Sequence, residues 1–459
     1  MTVKQDWREF LADFEESHPH DVLHIEQELK PQYEPTALIM ELDRQKSYPV
    51  VYFHKIAGSE FPVIANTIAT RERLALGIAV PEGQLPTAFS EKIKKAIAPE
   101  VGENPPFKEN ILAGEELDLT KLPILTHFPI DAGPYVTAGL VTAKDPESGA
   151  DTCGYHRMQF KSKNKLSVSL HSRQRLWEYH RRAARTGKNL EAAVVLGVHP
   201  AISLGSMALV PYDQGKFARM GGLFGAPMQI ARCSTIDVEV PYWAEIVIEG
   251  EILADTHEPE GPFAEFTNYA CYRSTENVFI PRAIHYRPNA RYQCITPGMC
   301  AEHNVIVAVQ REGDVIRALK ETLPNIKDVH APLSACGLFH CYISLKKIAE
   351  GQPMQAILSA FAVDHNLKMV VVVDEDVDVF NEAQVLWAIA TRVQADRDVM
   401  IVPQHQGMGC TLDPSSDGLS RTAKMGIDAT KPLSGYAKSI APDPAATVRM
   451  RELLKNLTR

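Results

Sequence analysis

The sequence predicts a mixed chain of α+β and α/β type, with an N-terminal α/β region, a middle β core and a C-terminal α/β unit. Three observations carry this. The middle third runs in short alternating strands separated by turn chemistry, which suggests a barrel-like antiparallel core. The last third places strand, helix and strand in succession, a βαβ pattern that implies an at least partly parallel sheet. A length of 459 residues, at roughly 100–200 residues per domain, leaves room for two or three such units. The divisions are placed at residues 1–110, 111–310 and 311–459.

The elements follow from local pattern. Residues 1–45 read as helix-rich, with Trp7, Phe10, Leu11 and Phe14 at helical spacing as a core-facing stripe. Residues 48–54 (YPVVYFH) are β-branched and aromatic, hence a strand, and 61–65 is its partner after a glycine-containing turn. A helical pattern resumes over 71–78, and the Pro- and Gly-rich stretch 98–134 reads as a long connection. Residues 135–143, 153–161 and 165–171 alternate as strands, broken at 145–149 and 161–164 by turn residues. A helix covers 173–185, a buried strand 192–198, and the β pattern continues over 236–240 and 245–252. Residues 368–373 and 399–402 are strands flanking a helix over 382–392, for which Asn381 is a fitting N-cap.

Composition narrows the function class. The 48 Lys+Arg against 57 Asp+Glu give a net charge of −9, which argues against a nucleic-acid footprint. With 45% hydrophobic and 23% charged residues the chain has material for a sizeable core and is not of disordered type. The start, MTVKQDWREFLADFEE, has no apolar signal region, and the apolar run 369–373 is too short for a bilayer. Eight cysteines are scattered without a CxxC pair and read as reduced thiols. A soluble, cytoplasmic protein is expected.

Several motifs fail on inspection. Asp374, Asp376 and Asp378 resemble a calcium loop, but Val379 stands where the sharp turn needs glycine. Gly221-Gly222-Leu223-Phe224-Gly225 neither follows a clear strand nor opens a helix as a dinucleotide fingerprint does. No HExxH or GxSxG occurs. The informative segment is 258–266, EPEGPFAEF, where Glu260 and Glu265 flank a Gly-Pro step beside Phe263 and Phe266. Proline fixes one backbone angle and glycine permits close approach, so both carboxylates can be held in set positions. An exposed acidic loop fits the spacing equally well. A second segment, Tyr155-His156-Arg157-Met158-Gln159, puts an Arg in a strand of the β core, where it needs a partner. Glu260 suits that role, and a guanidinium so paired can receive a substrate carboxylate.

These residues resemble the UbiD-type carboxy-lyases, reversible decarboxylases that use prenylated FMN. The resemblance covers most of the length and rests on 48–53 with Arg71-Glu72-Arg73, 154–159, 197–200, 245–250, Pro259–Glu265, 386–392 and 424–430 (KMGIDAT). It implies a fold with a flavin-binding split β-barrel, followed by an α/β domain that makes a homodimer or an assembly of dimers. It also implies a catalytic trio of Arg157, Glu260 and Glu265, with Glu265 protonating the carbon after carbon dioxide leaves. Thr152, Tyr155, His156, Leu170, His171, Ser206, Met207, Lys216 and Lys424 are implied as cofactor-binding residues together with Arg157. A flavin prenyltransferase would supply the cofactor, and no nucleic-acid or membrane partner is implied.

One departure concerns metal. The family clamps the flavin phosphate through a divalent cation, Mn2+ or Mg2+, held by Asn, His and Glu, and K+ is a further possibility. Here the Asn position is Thr152, the His is His171, and the Glu position reads Lys216. A hard cation is weakened badly by losing its carboxylate ligand, so the ammonium of Lys216, assisted by Lys424, is expected in its place. A register slip in this comparison is the alternative. For substrate, His303 and Arg311 are spaced eight apart, similar to positions in furan-dicarboxylate decarboxylases. A small heteroaromatic (furan or pyrrole type) mono- or dicarboxylate is therefore preferred over a phenolic or cinnamic-type acid, although a surface or structural role for both residues fits equally well. A non-catalytic flavin-binding protein has no need of the proton donor, and a flavin reductase would need a nicotinamide site that the sequence lacks.

Overall fold

The computed structural model describes residues 3–170, 175–409 and 412–457. Helix Trp7–Ser17 starts at Asp6, whose carboxylate accepts the Arg8 N–H at 2.8 Å, and it buries Trp7, Leu11 and Phe14 against Val50, Tyr52 and Ile64. Strands Val50–Ile56 and Val63–Ala65 pair antiparallel as expected. The helix-rich reading of the first 45 residues missed strand Val22–Leu29, which pairs parallel to Val50–Ile56. It lies on the edge of a four-stranded sheet, and its apolar residues Leu23, Ile25 and Leu29 alternate with His24, Glu26 and Glu28 and pack on the core, a period-two signal that the helical reading of this stretch overlooked.

The central sheet has nine strands and every pairing is antiparallel. Its order is Tyr135–Val136, Met158–Ser162, Lys165–Val168, Ala270–Tyr286, Ile246–Ala264, Leu190–Leu196, Leu140–Lys144 and Asp151–Tyr155, with Asn110–Ala113 added beside Ala270–Tyr286. Strands Asp151–Tyr155 and Met158–Ser162 are consecutive in the chain yet stand last and second in that path. In a flat sheet six strand spacings would part them by about 29 Å. Three Cα steps from Tyr155 to Met158 reach only about 11 Å. The sheet therefore curls until its ends approach each other, and His156-Arg157 bridges the split.

That bridge also corrects the sequence reading. The strands expected over 135–143 and 153–161 are each interrupted, and Arg157 lies in the second interruption rather than within a strand. The strand expected over 245–252 runs on as Ile246–Ala264, 19 residues, through the polar run that had marked its end. The glycines at 221 and 222 sit inside helix Lys216–Phe224, where a Cβ at Gly222 would collide with the carbonyl oxygens of Lys92 and Lys95. They serve helix packing.

In the C-terminal part the sheet order is Ile326–His330, His340–Leu345, Met369–Asp374, Arg421–Ala429 and Val399–Gln406, and the middle three strands are parallel. The expected βαβ unit does not form. After helix Glu382–Arg392, with Asn381 as its N-cap, the chain enters Val399–Gln406, which pairs antiparallel to Arg421–Ala429 at the sheet edge. Asp374 and Asp376 neutralise Arg392 at 2.8 and 3.2 Å, and Lys431 joins Asp376 at 2.8 Å. Helix Ala301–Thr322 runs unbroken through residues 310 and 311, where the second division was placed. Among the described residues no helix is long and apolar enough to cross a membrane.

Candidate active site

Three segments bring the acid–base groups together. Arg157 comes from the split, Glu260 from the far half of strand Ile246–Ala264, and Glu265 from the turn beyond it. The register slips between Glu260 and Phe263, and Gly261 has φ 91° with Cys271 O only 2.9 Å from where a Cβ would lie. Such a bulge re-aims the side chains on either side of it. Glu265 then opens a tight turn, its N–H bonded to Tyr269 O at 3.0 Å and its carbonyl accepting Asn268 N–H at 2.8 Å.

Arg157 binds Glu260 through two nitrogens, Nε to Oε1 at 3.0 Å and Nη2 to Oε2 at 2.6 Å. Its Nη1 pairs with Glu265 Oε1, and Nη2 also faces Cys271 Sγ at 3.8 Å. The guanidinium lies over the Phe263 ring at 5.1 Å. All three charged side chains are buried. Burial opposes the charge on Arg157, but Glu265 and Glu260 more than offset it and hold its pKa above the ordinary value. Four of the five guanidinium N–H groups thus meet described partners, which leaves one on Nη1 for a further carboxylate.

The neighbouring groups fix this arrangement. Asp131 accepts Ala264 N–H and Phe128 N–H, each at 2.8 Å, and Ala132 N–H reaches Pro262 O at 2.8 Å. Lys161 binds Pro259 O at 2.7 Å. Tyr135, fully buried, packs on Phe263 with ring centroids 4.4 Å apart and planes tilted by 45°. Sequence reasoning had treated 98–134 as a connection, and the signal in it was Asp131 ahead of the Ala-Gly-Pro turn.

A cleft of about 580 Å3 has His156, the residue before Arg157, in its wall, while Arg157, Glu260 and Glu265 do not line it. Thr152, Tyr155, His156, Ser206, Met207 and Lys216 all line it, together with Arg175, Arg311, Asp314 and Arg317. Tyr155 Oη lies 2.7 Å from Ser203 Oγ, and His156 Nδ1 lies 2.8 Å from Ser169 O. Burial pushes the His156 imidazole down to about 4, so it is neutral. Arg175, which sequence reasoning passed over, bonds Thr152 Oγ1 at 3.2 Å and several main-chain carbonyls.

Other expected residues fall elsewhere. Leu170 is buried outside the cleft wall, its N–H on Glu276 at 3.1 Å. Lys424 does not line the cleft either. Its ammonium is spent on His365 O at 2.8 Å and on Leu367 O, holding the segment that does. His171 lies outside the described residues. His303 and Arg311 do not form a pair, because eight residues of helix set them about 12 Å apart. The His303 ring stands 6.0 Å from Phe266 and interacts electrostatically with Glu265, whereas Arg311 is on the cleft wall and pairs with Asp364. No cluster of three His, Cys, Asp or Glu residues suited to a metal occurs among the described residues.

The curled antiparallel sheet matches that of a carboxy-lyase family, and the chain belongs to it, the UbiD family. Residues 17–93, 100–300 and 304–429 match the N-terminal, Rift-related and C-terminal domains of the 3-octaprenyl-4-hydroxybenzoate carboxy-lyase family. The chain is similar to the anhydromevalonate phosphate decarboxylase of Methanothermobacter thermautotrophicus, 32% identical over 93% of this chain and 98% of that one. It superposes on the UbiD-class enzyme HmfF from Pelotomaculum thermopropionicum in complex with FMN with a TM-score of 0.91 and 33% identity, covering 96% of this chain and 98% of that one. The Klebsiella pneumoniae 3,4-dihydroxybenzoic acid decarboxylase gives a TM-score of 0.86 at 26% identity, covering 97% and 99%.

Proposed function

We propose that this carboxy-lyase binds prenylated FMN in the cleft and removes carbon dioxide from a small conjugated acid at Arg157, Glu260 and Glu265. The single observation that carries the reading is the buried Arg157 held bidentately by Glu260 while Glu265 meets its other nitrogen. The cleft fits a flavin: its volume of about 580 Å3 lies in the range of small-molecule sites. Its wall holds Tyr155 and His156, the two residues before Arg157 in the chain, although Arg157, Glu260 and Glu265 do not themselves line it.

Bound prenylated FMN would supply the electron sink for the carbon left when carbon dioxide departs. The chain's own residues do the rest. Arg157 orients the substrate carboxylate with its remaining N–H, and Glu260 keeps that guanidinium charged and in place. Glu265, paired with Arg157 as a carboxylate at rest, must first take up a proton, which it then passes to the product carbon. Phe263, buried under the Arg157 guanidinium, supplies apolar surface against the trio.

For substrate we favour a planar heteroaromatic acid of furan or pyrrole type, and the monocarboxylate over the dicarboxylate, because Arg311 is engaged by Asp364 on the cleft wall. A second reading, an α,β-unsaturated acid bearing a phosphate, is favoured by the likeness to the anhydromevalonate phosphate decarboxylase. The test is carbon dioxide release by protein co-expressed with a flavin prenyltransferase. The panel holds furan-2-carboxylate, pyrrole-2-carboxylate, furan-2,5-dicarboxylate, a phenolic acid, a cinnamate and anhydromevalonate phosphate. Turnover of the first two supports the reading, and turnover of the phosphorylated acid alone overturns the substrate choice. Exposed apolar side chains on the C-terminal part, among them Phe380, Leu386 and Trp387, support a homodimer, to be checked by light scattering.

A further inference from the structure

The cleft carries an excess of positive charge that proton transfer at the trio does not use. Lys216 leaves the first position of helix Lys216–Phe224 and is 8% exposed. Its ammonium donates to Cys153 O at 3.0 Å and to Ser206 O, so the central sheet and the end of helix Pro200–Ser206 converge on it. The helix start is itself fixed by Asp151, whose carboxylate accepts Phe217 N–H at 2.8 Å, and a side chain at Gly215 would collide with that carboxylate.

The other cleft cations differ in their partners. Arg311 pairs with Asp364, and Arg317 with Asp314 at 3.5 Å. Neither Lys216 nor Arg175 has a carboxylate ion-pair partner among the described residues. The Arg175 guanidinium is given to Thr152 Oγ1 and to the carbonyls of Asp151, Val210 and Gln214. It therefore contributes field rather than a free donor. The Asp151 carboxylate acts electrostatically on both Lys216 and Arg175 and offsets part of their charge, so the pair keeps a net positive charge for the phosphate monoester, which carries about two negative charges near neutrality. Burial pulls Lys216 down to about 8, so an anion in contact stabilises its charged form.

A divalent cation does not fit the described residues of this spot. Such ions want anionic oxygen ligands, yet the side chain at the centre is an ammonium. The two carbonyls that face it are already taken as acceptors. A metal would have to stand beside a like charge.

We propose that Lys216 is a built-in cation that takes the flavin phosphate directly, in the field of Arg175, so that the phosphate is held without a divalent metal or K+. This rests on the flavin reading above and deepens it.

The test is binding of FMN and of riboflavin to purified apo-protein, followed by flavin fluorescence. It is run in sodium buffer with EDTA and again with Mn2+ and K+ added. Wild-type FMN affinity is expected to be the same in both media, with substoichiometric manganese in the EDTA-dialysed protein. Lys216→Met is expected to weaken FMN by about 30-fold, the loss of one charge-assisted hydrogen bond, with riboflavin affinity nearly unchanged. Lys216→Glu is expected to bind FMN only with Mn2+. Stoichiometric manganese after EDTA, wild-type FMN binding only with added metal, or unchanged FMN affinity in Lys216→Met overturns the anchor and leaves the flavin reading standing. Wild-type protein that binds neither flavin in either medium overturns both.

Discussion

Asp131 accepts the N–H of Ala264 at 2.8 Å, one residue before Glu265. Its other oxygen accepts Phe128 N–H at the same distance, so one carboxylate pins two loops and sets where the Glu265 turn begins. Asparagine offers a single acceptor oxygen to these two donors. Asp131→Asn should therefore lower kcat by about 10- to 100-fold through misplacement of the proton donor. FMN affinity should stay unchanged, because Asp131 is not on the cleft wall. Steady-state kinetics beside flavin titration checks this, and a loss confined to KM would contradict it.

The trio has a stability signature separate from catalysis. Arg157→Ala leaves Glu260 and Glu265 buried without their cation, a change expected to cost about 3–5 kcal/mol. Adding Glu260→Gln to that variant should recover part of the loss by removing one stranded charge. Glu260→Gln alone should be milder, since Glu265 still pairs with Arg157. Urea unfolding of the three variants measures the coupling, and strict additivity of the two changes would contradict it.

Glu302 makes a pH prediction. Its carboxyl is fully buried at the start of helix Ala301–Thr322 and accepts Asn66 N–H at 2.8 Å. Burial pushes it up to about 7, with those backbone bonds and Arg73 pulling the other way. A carboxyl raised in the folded state adds stability that is fully present below its unfolded value near 4.5 and is lost as pH rises through 7. About 3 kcal/mol is expected to disappear across that window. Glu302→Gln should flatten the slope, as read from urea midpoints between pH 4.5 and pH 8.

The sequence exposed the chemistry of the site better than its geometry. Glu260 and Glu265 were legible because two carboxylates around Gly261-Pro262 stand beside Phe263 and Phe266, and Arg157 because a core charge demands a partner. That Arg157 sits at the split of a curled sheet was not legible, since YHRMQ reads as a continuous strand until non-local pairing interrupts it. Strand Val22–Leu29 was legible in the alternation of Leu23, Ile25 and Leu29 with polar residues, but the helical stripe before it drew the reading. The expected βαβ unit failed because the neighbour of Met369–Asp374 is Arg421–Ala429, a long-range choice that local pattern does not carry. His303 and Arg311 suggested one site by spacing, but a spacing of eight on a helix also separates two residues along its axis.

The most direct measurement compares wild type with Glu265→Gln, each loaded with prenylated FMN, by carbon dioxide release from an acid that the wild type turns over. Glu265 pairs with Arg157, and the role proposed for it is that of proton donor. Turnover should fall by about 1,000-fold or more while flavin content, read from the visible spectrum, is retained. Turnover within tenfold of wild type at full flavin loading would contradict the assignment of the proton to Glu265.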